Sequence, residues 1–488
     1  MAGVLGQAAR GIELSFGPVT PELVLVGAGI LVLLLEALRP SPDQRPLVLL
    51  SLAGVAGAAA ASVWLWGWDG PPTVLGDMVA ADRFSVLLRL VLLAVAALGV
   101  LLSAHYLERA GEFRGEYYAL LLFATAGMTL ITASADLVMV FLSLEVLSLS
   151  LYLLTGFSFR RLASAEAALK YFLLGAFSTA FFLYGVAFAY GATGTTNLEG
   201  IARELARGSS AVALGAAGLL AVGFAFKVAA VPFHMWTPDA YQGAPTAVTA
   251  FMSAGTKVAA FGAFLRVFGV AFLPLVEDWR PFLWALAALT MVVGSVLAIA
   301  QTDVKRMLAY SSVAHAGFIL VGLTAANRAG VEGALFYLAA YAAMILGAFG
   351  VVMLVSVRGE RNLSLASYAG LTRRHPLLAA LMALFLLSLA GIPPTAGFIA
   401  KVAVFSAAVQ AGQWELVLVA VLTSVVAAFF YIRVIVLMYM QEPPEALEVE
   451  RAPGAEAAVA VPALLTLLFG VFPALLFGLL RSASLLGT

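Results

Sequence analysis

The stretch VALGAAGLLAVGFAFKVAAVPFHMWTPDAYQ, residues 212–242, is apolar over most of its length and carries Lys227 five residues before Pro232. It is longer than the ~20 residues that cross a bilayer as a helix. Proline removes a helix hydrogen bond and clashes with the preceding turn, so we predict a membrane helix that breaks near its middle. Exposed backbone at that depth survives only where it is buried in protein or lines a watery cavity. The stretch therefore predicts a broken helix beside an internal site.

A second stretch has the same combination of features. Residues 376–409 are apolar, and Gly391-Ile392-Pro393-Pro394 interrupts them before Lys401. With a window of about 20 residues, the chain contains fourteen apolar segments, of which these two are the seventh and the twelfth. The segments begin near residues 21, 46, 84, 117, 137, 164, 212, 246, 281, 304, 331, 376, 413 and 457.

The composition fixes the class of protein. Hydrophobic residues make up 63% of the 488, and the mean hydropathy of +1.02 is too high for a soluble domain. We therefore predict an all-α polytopic membrane protein. The 27 basic and 27 acidic residues balance, which argues against nucleic acid as a partner. The chain has no cysteine, which excludes disulfides, thiolate-bound iron–sulfur clusters and cysteine zinc sites.

Five segments separate the two broken helices, which suggests two copies of a five-helix unit. An odd number of spans would make the copies inverted, a pattern common in secondary transporters. We predict N-terminal helices in residues 1–116, a first repeat in 117–272, an inverted second repeat in 273–440, and an acidic loop with a last helix in 441–488.

The loop charges predict the orientation of the chain. Thirteen basic residues follow odd-numbered segments and seven lie on the other side, so we expect both termini to face outward. The first 21 residues lack the basic start, short apolar core and cleavage site of a signal peptide. We expect the first apolar run, residues 23–38, to remain as an anchor.

The titratable residues inside the segments are the candidates for function. Only five cations are lysines, and Lys170, Lys227, Lys257 and Lys401 lie within apolar segments. Lysine can release its proton when desolvated, whereas arginine stays protonated. The acid Glu145 lies in the middle of segment five. Such residues are costly at that depth and usually mark ion or proton pathways. We therefore favour proton handling over structural ion pairs for Lys227, Lys257, Lys401 and Glu145.

Two further residues are ambiguous in sequence. Lys170 follows Glu166 by four residues, the spacing of an ordinary helix ion pair, so it is either a relay or part of a surface pair. His315 lies among hydroxyl residues in segment ten, where an imidazole could relay protons or simply pack.

Three long motifs resemble one family. EAALKYFLLGA at residues 166–176, PFHMWTPDAYQGAPT at 232–246 and GIPPTAGFIAK at 391–401 are similar to helices of subunit N of bacterial NADH:quinone oxidoreductase, respiratory complex I. That family is similar to mitochondrial NADH dehydrogenase subunit 2. The resemblance extends from about residue 21 to the last helix. Two positions depart from the family pattern: Ala400 replaces a common glycine and Ala247 a common proline.

The resemblance implies a fourteen-helix antiporter-like subunit that translocates protons in the membrane arm of that complex. It assigns the helix-five glutamate to Glu145, and the lysines of helices seven, eight and twelve to Lys227, Lys257 and Lys401. Lys170 and His315 match further family positions as candidate relays. The resemblance also implies that this chain binds no cofactor. FMN, iron–sulfur clusters and quinone would belong to partner subunits in the bacterial inner membrane.

These expectations combine into one proton-transfer mechanism, and two other functions for the chain stay open. Glu145 would pair with Lys227 and control its proton, which would pass to Lys257 and then, through water and His315, to Lys401. A subunit of a multisubunit sodium/proton antiporter is the main alternative, since its helices share these charged positions. A non-pumping membrane scaffold is the third.

Overall fold

The structure, a computed structural model, describes residues 15–38, 43–208, 210–356, 363–443, 453–483 and 485. Nineteen α-helices account for most of these residues. They are α1 (Thr20–Leu38), α2 (Arg45–Leu65), α3 (Arg83–Ala110), α4 (Gly115–Ala133), α5 (Leu137–Thr155), α6 (Leu162–Thr193), α7 (Leu198–Arg207), α8 (Ala211–Val228), α9 (Trp236–Gly243), α10 (Thr246–Arg266), α11 (Val276–Ile299), α12 (Val304–Ala325), α13 (Arg328–Val355), α14 (Leu371–Arg374), α15 (Pro376–Ala390), α16 (Ala396–Gln410), α17 (Trp414–Met440), α18 (Pro453–Val471) and α19 (Ala474–Ser482).

Short elements connect these helices. A π-turn, Val267–Ala271, extends α10, and 3₁₀ turns occupy Gly17–Val19, Leu273–Leu275 and Leu365–Tyr368. The described residues also contain one hairpin, in which β1 (Thr73–Val74) pairs antiparallel with β2 (Val79–Ala80).

The predicted fourteen segments are confirmed. Thirteen helices of the described chain are long and apolar enough to cross a membrane. The remaining segment, the twelfth, consists of the two shorter helices α15 and α16. Segment seven also breaks as predicted, into α8 and α9. Each predicted start lies within five residues of a helix start, because apolar runs bounded by charged or turn-forming residues give a strong signal.

Several membrane helices begin at a side chain that caps them. The Asp82 carboxylate accepts from the Ser85 amide at the start of α3, and Asp303 accepts from the Arg306 amide at the start of α12. The Asn327 side chain accepts from the Gly330 amide at the start of α13. These residues satisfy amides that the first helical turn leaves without partners. Capping thus sets where these helices begin.

Three helices form the interior of the bundle. The membrane-spanning stretches of α10 and α12 are fully buried, and that of α13 nearly so. Helix α13 packs against α10, α12, α16 and α18, while α6 packs against α8. By contrast α1, α2, α6 and α17 bury only a third of their spanning stretches. Lys227, Lys257, His315 and Lys401 are likewise buried within the protein.

The predicted repeats remain a prediction. The boundary at 116/117 falls just inside α4, that at 272/273 falls after the π-turn, and that at 440/441 falls at the end of α17. Arginines that contributed to the loop-charge bias also lie outside the described residues: Arg10, Arg39, Arg358, Arg361 and Arg451.

Candidate functional site

The first break, residues 229–235, separates α8 from α9. Ala229 ends α8 in the left-handed conformation with φ of +60°, which is unusual for a residue with a side chain. The Val231 amide finds a partner in the Thr290 hydroxyl at 2.9 Å, and the Trp236 ring nitrogen donates to the Phe226 carbonyl at 3.0 Å. Neighbouring side chains thus satisfy backbone groups that the break releases.

Lys227 lies on the last turn of α8 with 4% of its surface exposed. Its Nζ donates to the Ser148 hydroxyl of α5 at 2.6 Å. The ammonium also lies 5.6 Å from the Tyr152 ring centroid and 5.9 Å from that of Tyr171, within the range of cation–π attraction. Tyr171 in turn stacks on Trp236 at 4.4 Å. Lys227 is therefore held by one hydrogen bond to a hydroxyl and by cation–π contacts with two tyrosine rings.

Glu145 lies one turn before Ser148 on α5 and is partly exposed on the side of the bundle. Its carboxylate accepts from the Thr179 hydroxyl of α6 at 2.8 Å. Among the described residues it forms no ion pair with Lys227. In place of the expected direct pair, Glu145 contacts the Thr179 hydroxyl of α6 and Lys227 contacts the Ser148 hydroxyl of α5.

Lys257 is 1% exposed on α10, and its Nζ donates to the Val228 carbonyl at 2.7 Å. Val228 is the last residue of α8, so its carbonyl belongs to the negative end of that half-helix. The Lys257 ammonium therefore caps the half-helix that carries Lys227. The capped residue, Val228, directly follows Lys227 in sequence.

The second break, residues 391–395, separates α15 from α16. Gly391 ends α15 with φ of +88°. Lys401 is 5% exposed on α16, and its Nζ donates to the Ala390 carbonyl at 2.7 Å and to the Ser424 hydroxyl of α17 at 2.6 Å. A Cβ at position 391 would lie 2.9 Å from the Lys401 Cδ. The backbone conformation therefore favours glycine, and any Cβ at this position would force the Lys401 side chain to shift.

His315 lies in the core between the two breaks. Its Nδ1 is 2.7 Å from the Tyr337 hydroxyl and its Nε2 is 3.2 Å from the Tyr431 hydroxyl. The Phe318 ring lies 5.8 Å from the imidazole and 4.8 Å from the Lys401 ammonium. His315 and Lys401 are thus neighbours across one phenyl ring.

Lys170 lies apart from these buried groups. Its side chain is 45% exposed and pairs with Glu166 at 2.7 Å and with Asp239 at 3.0 Å. Asp239 also binds Arg306 at 2.7 Å, which joins α6, α9 and α12. The structure thus places Lys170 in a surface ion network, the second of its two predicted roles.

Several partners were missed from the sequence. Ser148 follows Glu145 by three residues and so shares its helix face, a signal that spacing could have revealed. No sequence pattern marks Ser424, Tyr337 or Tyr431, which reach the site only through packing of distant helices. Lys305, counted as a loop cation, is fully buried and donates to the Ala244 carbonyl at 2.6 Å.

The described residues contain no group of three His, Cys, Asp or Glu side chains that could hold a metal ion. What the site offers instead is a set of buried lysines whose ammonium groups bind neutral oxygens. We call Lys227, Lys257 and Lys401 the lysine row.

Comparison with known proteins identifies the family. Residues 134–427, which hold Glu145 and the whole lysine row, match the family described as NADH:quinone oxidoreductase/Mrp antiporter, TM. The chain belongs to this family. Its resemblance to subunit N, drawn from three motifs, is confirmed by the relatives described next.

The chain is 45% identical over 469 residues to the NADH-quinone oxidoreductase subunit N of Trichlorobacter lovleyi, which covers 95% of this chain and 96% of the relative. A chain of respiratory complex I from Thermus thermophilus with bound aureothin has a TM-score of 0.82 and 37% identity, and covers 95% of this chain and all of that one. A chain of the Mrp complex from Dietzia sp. DQ12-45-1b also has a TM-score of 0.82, at 24% identity and 96% coverage of both chains. The last likeness shows the shared fold alone.

Proposed function

We propose that this chain is the antiporter-like subunit that translocates protons in an NADH-quinone oxidoreductase. One observation carries the proposal: each ammonium of the lysine row is buried and binds only hydroxyl or backbone carbonyl oxygens, with no carboxylate partner in the described part of the chain. Titratable side chains inside a membrane protein mark proton pathways, and lysine can exchange its proton where arginine cannot.

The contacts suggest an order of transfer. Lys227 binds Ser148, which lies one turn after Glu145 on α5, so a change in the charge of Glu145 acts electrostatically on Lys227. Lys227 releases its proton towards Lys257, whose ammonium binds the carbonyl of the next residue, Val228. Water and His315 carry it on to Lys401. Each of these protonation states influences its neighbours, so the titrations are coupled.

Electron transfer belongs to other chains in this proposal. The relatives named as subunit N are parts of NADH-quinone oxidoreductase, and the matched Thermus structure is of the whole respiratory complex. This chain would therefore act with partner subunits that hold FMN, iron–sulfur clusters and quinone, in the bacterial inner membrane.

The first test is the composition of the native assembly. The chain is tagged and extracted in mild detergent, and the purified assembly is assayed for flavin, iron–sulfur clusters and NADH-driven quinone reduction. All three are expected. Their absence, with other membrane subunits still co-purifying, would overturn the proposal and favour the sodium/proton antiporter, the reading to which the Dietzia chain adds only a likeness of fold.

Pumping itself is tested with Lys227→Ala in proteoliposomes. We expect an assembled complex without proton translocation, because Lys227 binds Ser148, one turn after Glu145 on α5, and is the lysine on which Glu145 acts in this proposal. Undiminished pumping would favour a scaffold role for this chain.

The proposed orientation, with both termini outside, is tested by cysteine labelling, for which the cysteine-free chain is a clean background. Gly208→Cys lies in the exposed connection before α8, and Arg160→Cys lies in the exposed connection before α6. A membrane-impermeant maleimide should label position 208 in intact cells and position 160 only after permeabilisation. The opposite result would reverse the orientation.

A further inference from the structure

The imidazole of His315 is bracketed by two tyrosines from different helices. Tyr337 of α13 contacts Nδ1 at 2.7 Å, and Tyr431 of α17 contacts Nε2 at 3.2 Å. All three side chains are buried, with at most 1% of their surface exposed. The Tyr431 hydroxyl also bonds the Ser311 hydroxyl, one turn before His315 on α12. Both ring nitrogens therefore have a hydroxyl partner in a site that excludes bulk water.

The donor and acceptor chemistry of these groups has a specific consequence. A neutral imidazole has one donor nitrogen and one acceptor nitrogen, an imidazolium has two donors, and a phenol hydroxyl can donate or accept. In one tautomer Tyr337 donates to Nδ1 while Nε2 donates to Tyr431. In the other tautomer both bonds reverse, and in the imidazolium both phenols accept. Hydroxyl rotation alone thus satisfies all three states of His315.

Ser311 extends this property. When Tyr431 accepts from Nε2, its own proton can point to the Ser311 oxygen. When Tyr431 donates to Nε2, Ser311 can donate to the Tyr431 oxygen. Both ring nitrogens and the Tyr431 oxygen therefore keep a hydrogen-bond partner in either arrangement, so a change of tautomer leaves neither nitrogen of the buried imidazole unsatisfied.

We infer that Tyr337 and Tyr431 are positioning residues that allow His315 to take up a proton at one ring nitrogen and release one from the other without moving its ring. The inference rests on the proposed function, in which His315 relays protons to Lys401. In the balanced step, the proton that Lys257 releases binds the free ring nitrogen as the phenol there turns from donor to acceptor. The imidazolium then bonds both phenols, and the proton on the opposite nitrogen departs towards Lys401 as the second phenol turns from acceptor to donor. The result is the other tautomer, and both tyrosines keep their own protons.

The molecule provides a matched control for this role. Tyr341 lies one turn after Tyr337 on the same helix and is equally buried, and its ring lies 5.3 Å from the imidazole. Its hydroxyl, however, donates to Ser312 at 2.8 Å and not to His315. Tyr341→Phe therefore removes a hydroxyl at the same depth without removing a bond to the imidazole.

The experiment measures proton pumping by the purified complex in proteoliposomes, with flavin content as the check on assembly. Tyr337→Phe and Tyr431→Phe should each slow pumping about tenfold, the change expected when a buried hydrogen bond to the reacting group is lost. Tyr341→Phe should stay within about twofold of the wild type, since its loss leaves His315 satisfied. If one Phe variant does not assemble, the other, on a different helix, carries the same test.

A double-mutant cycle separates positioning from a general structural effect. In a His315→Leu background, Tyr337→Phe should cause no further loss, because the tyrosine acts through the imidazole. An equal tenfold loss in both backgrounds would overturn the inference, as would equal losses for Tyr337→Phe and Tyr341→Phe.

Failure of the proposed function gives a different pattern. Full pumping by Lys227→Ala would remove the lysine row from the mechanism whatever the tyrosine variants do. Full pumping by His315→Leu, with Lys227→Ala inactive, would overturn the relay through His315 and this inference while leaving the proposed function standing.

Discussion

The two helix breaks end in the same backbone conformation but are capped by lysines from different parts of the chain. In both, a half-helix ends at a left-handed residue and a lysine ammonium binds its last carbonyl at 2.7 Å. At the first break that lysine, Lys257, comes from α10, a different helix. At the second break it is Lys401, from the continuation of the same broken helix.

This difference changes how many lysines each break can hold. Because α10 supplies the cap at the first break, Lys227 is free to turn to Ser148 on α5, and two lysines meet there. At the second break Lys401 must serve alone, and it recruits Ser424 from α17 as a second acceptor. A carbonyl at the end of a half-helix can thus hold an ammonium from a different helix or from the continuation of its own broken helix. The two breaks together therefore hold the three lysines of the lysine row.

The sharpest test of the comparison is to replace the caps with arginine. Lys257→Arg and Lys401→Arg keep a positive donor for the carbonyl but cannot release a proton. We expect pumping in proteoliposomes to fall about 100-fold or more in both variants, the range typical of a lost acid–base group. Lys170→Arg, in the surface network, should pump normally. Active arginine variants would mean that the lysines serve only as caps.

The next test exchanges the residues that end the two half-helices. Gly391→Ala should lower pumping about tenfold, because the new Cβ would displace Lys401 from the Ala390 carbonyl and loss of such a buried bond is costly. Ala229→Gly is the matched control. It should preserve pumping and raise the thermal midpoint, since it relieves ~1 kcal/mol of left-handed strain. Equal changes in pumping for the two variants would show that the residue that ends the half-helix matters equally at both breaks.

The hydroxyl partners offer a smaller contrast. Ser148→Ala removes the one hydrogen bond that Lys227 forms with the described residues, whereas after Ser424→Ala the Lys401 ammonium still binds the Ala390 carbonyl. We therefore expect pumping to fall about tenfold for the first variant and about threefold for the second, following the usual worth of one buried hydrogen bond. Thr423→Ala, adjacent to Ser424, controls for loss of a hydroxyl on α17. A larger loss for Ser424→Ala would contradict the two-acceptor account of Lys401.

The smallest expected effect is on stability and concerns how the end of α10 is anchored. The first break depends on this helix because α10 supplies Lys257. Arg266 at the end of α10 pairs with Asp82 through bonds of 2.7 and 2.8 Å. Burial alone would raise the pKa of the Asp82 carboxyl, but the charge and hydrogen bonds of Arg266 outweigh it and hold the pKa below its ordinary value of 3.8.

A lowered carboxyl pKa stabilises the fold above the ordinary value and loses that effect as pH falls through the folded value. Asp82→Asn should therefore lower the thermal midpoint modestly at pH 7, with a gap to the wild type that closes as the pH falls below 3.8. The Asp82 carboxylate is also partly exposed, so solvent screening keeps the effect small. A difference in thermal midpoint that does not change with pH would mean that the ion pair with Arg266 adds no stability beyond the helix cap that Asp82 provides for the Ser85 amide.

Much of the fold was predictable because proline and apolar length act locally. Pro232, Pro393 and Pro394 lack the amide that a continuous helix needs, and both breaks lie where those residues stand. The spacing of Glu166 and Lys170 likewise allowed the surface pair that the structure contains, as one of two roles for Lys170. Such signals depend only on neighbours in sequence.

The partners of the site residues were less accessible to sequence reasoning. The bond from Lys227 to Ser148 joins residues 79 positions apart, and that from His315 to Tyr431 joins residues 116 apart. Lys257 and Lys401 each bind a backbone carbonyl, an acceptor that every residue has and that no residue type marks. Only the packing of distant helices selects these groups, so the sequence predicted that Lys227, Lys257 and Lys401 lie inside the membrane segments but not what they bind.

The full burial of α10 has a consequence for how the chain is made. This helix carries Lys257 and Arg266 and has no face for lipid, yet α13, one of its main neighbours, is synthesised after it. A helix with two charged residues is poorly stable alone in a bilayer. During biosynthesis α10 must therefore remain in contact with its earlier neighbours α3 and α4, or with water, until α13 has been synthesised. Membrane insertion of the centre of this protein is thus a cooperative event.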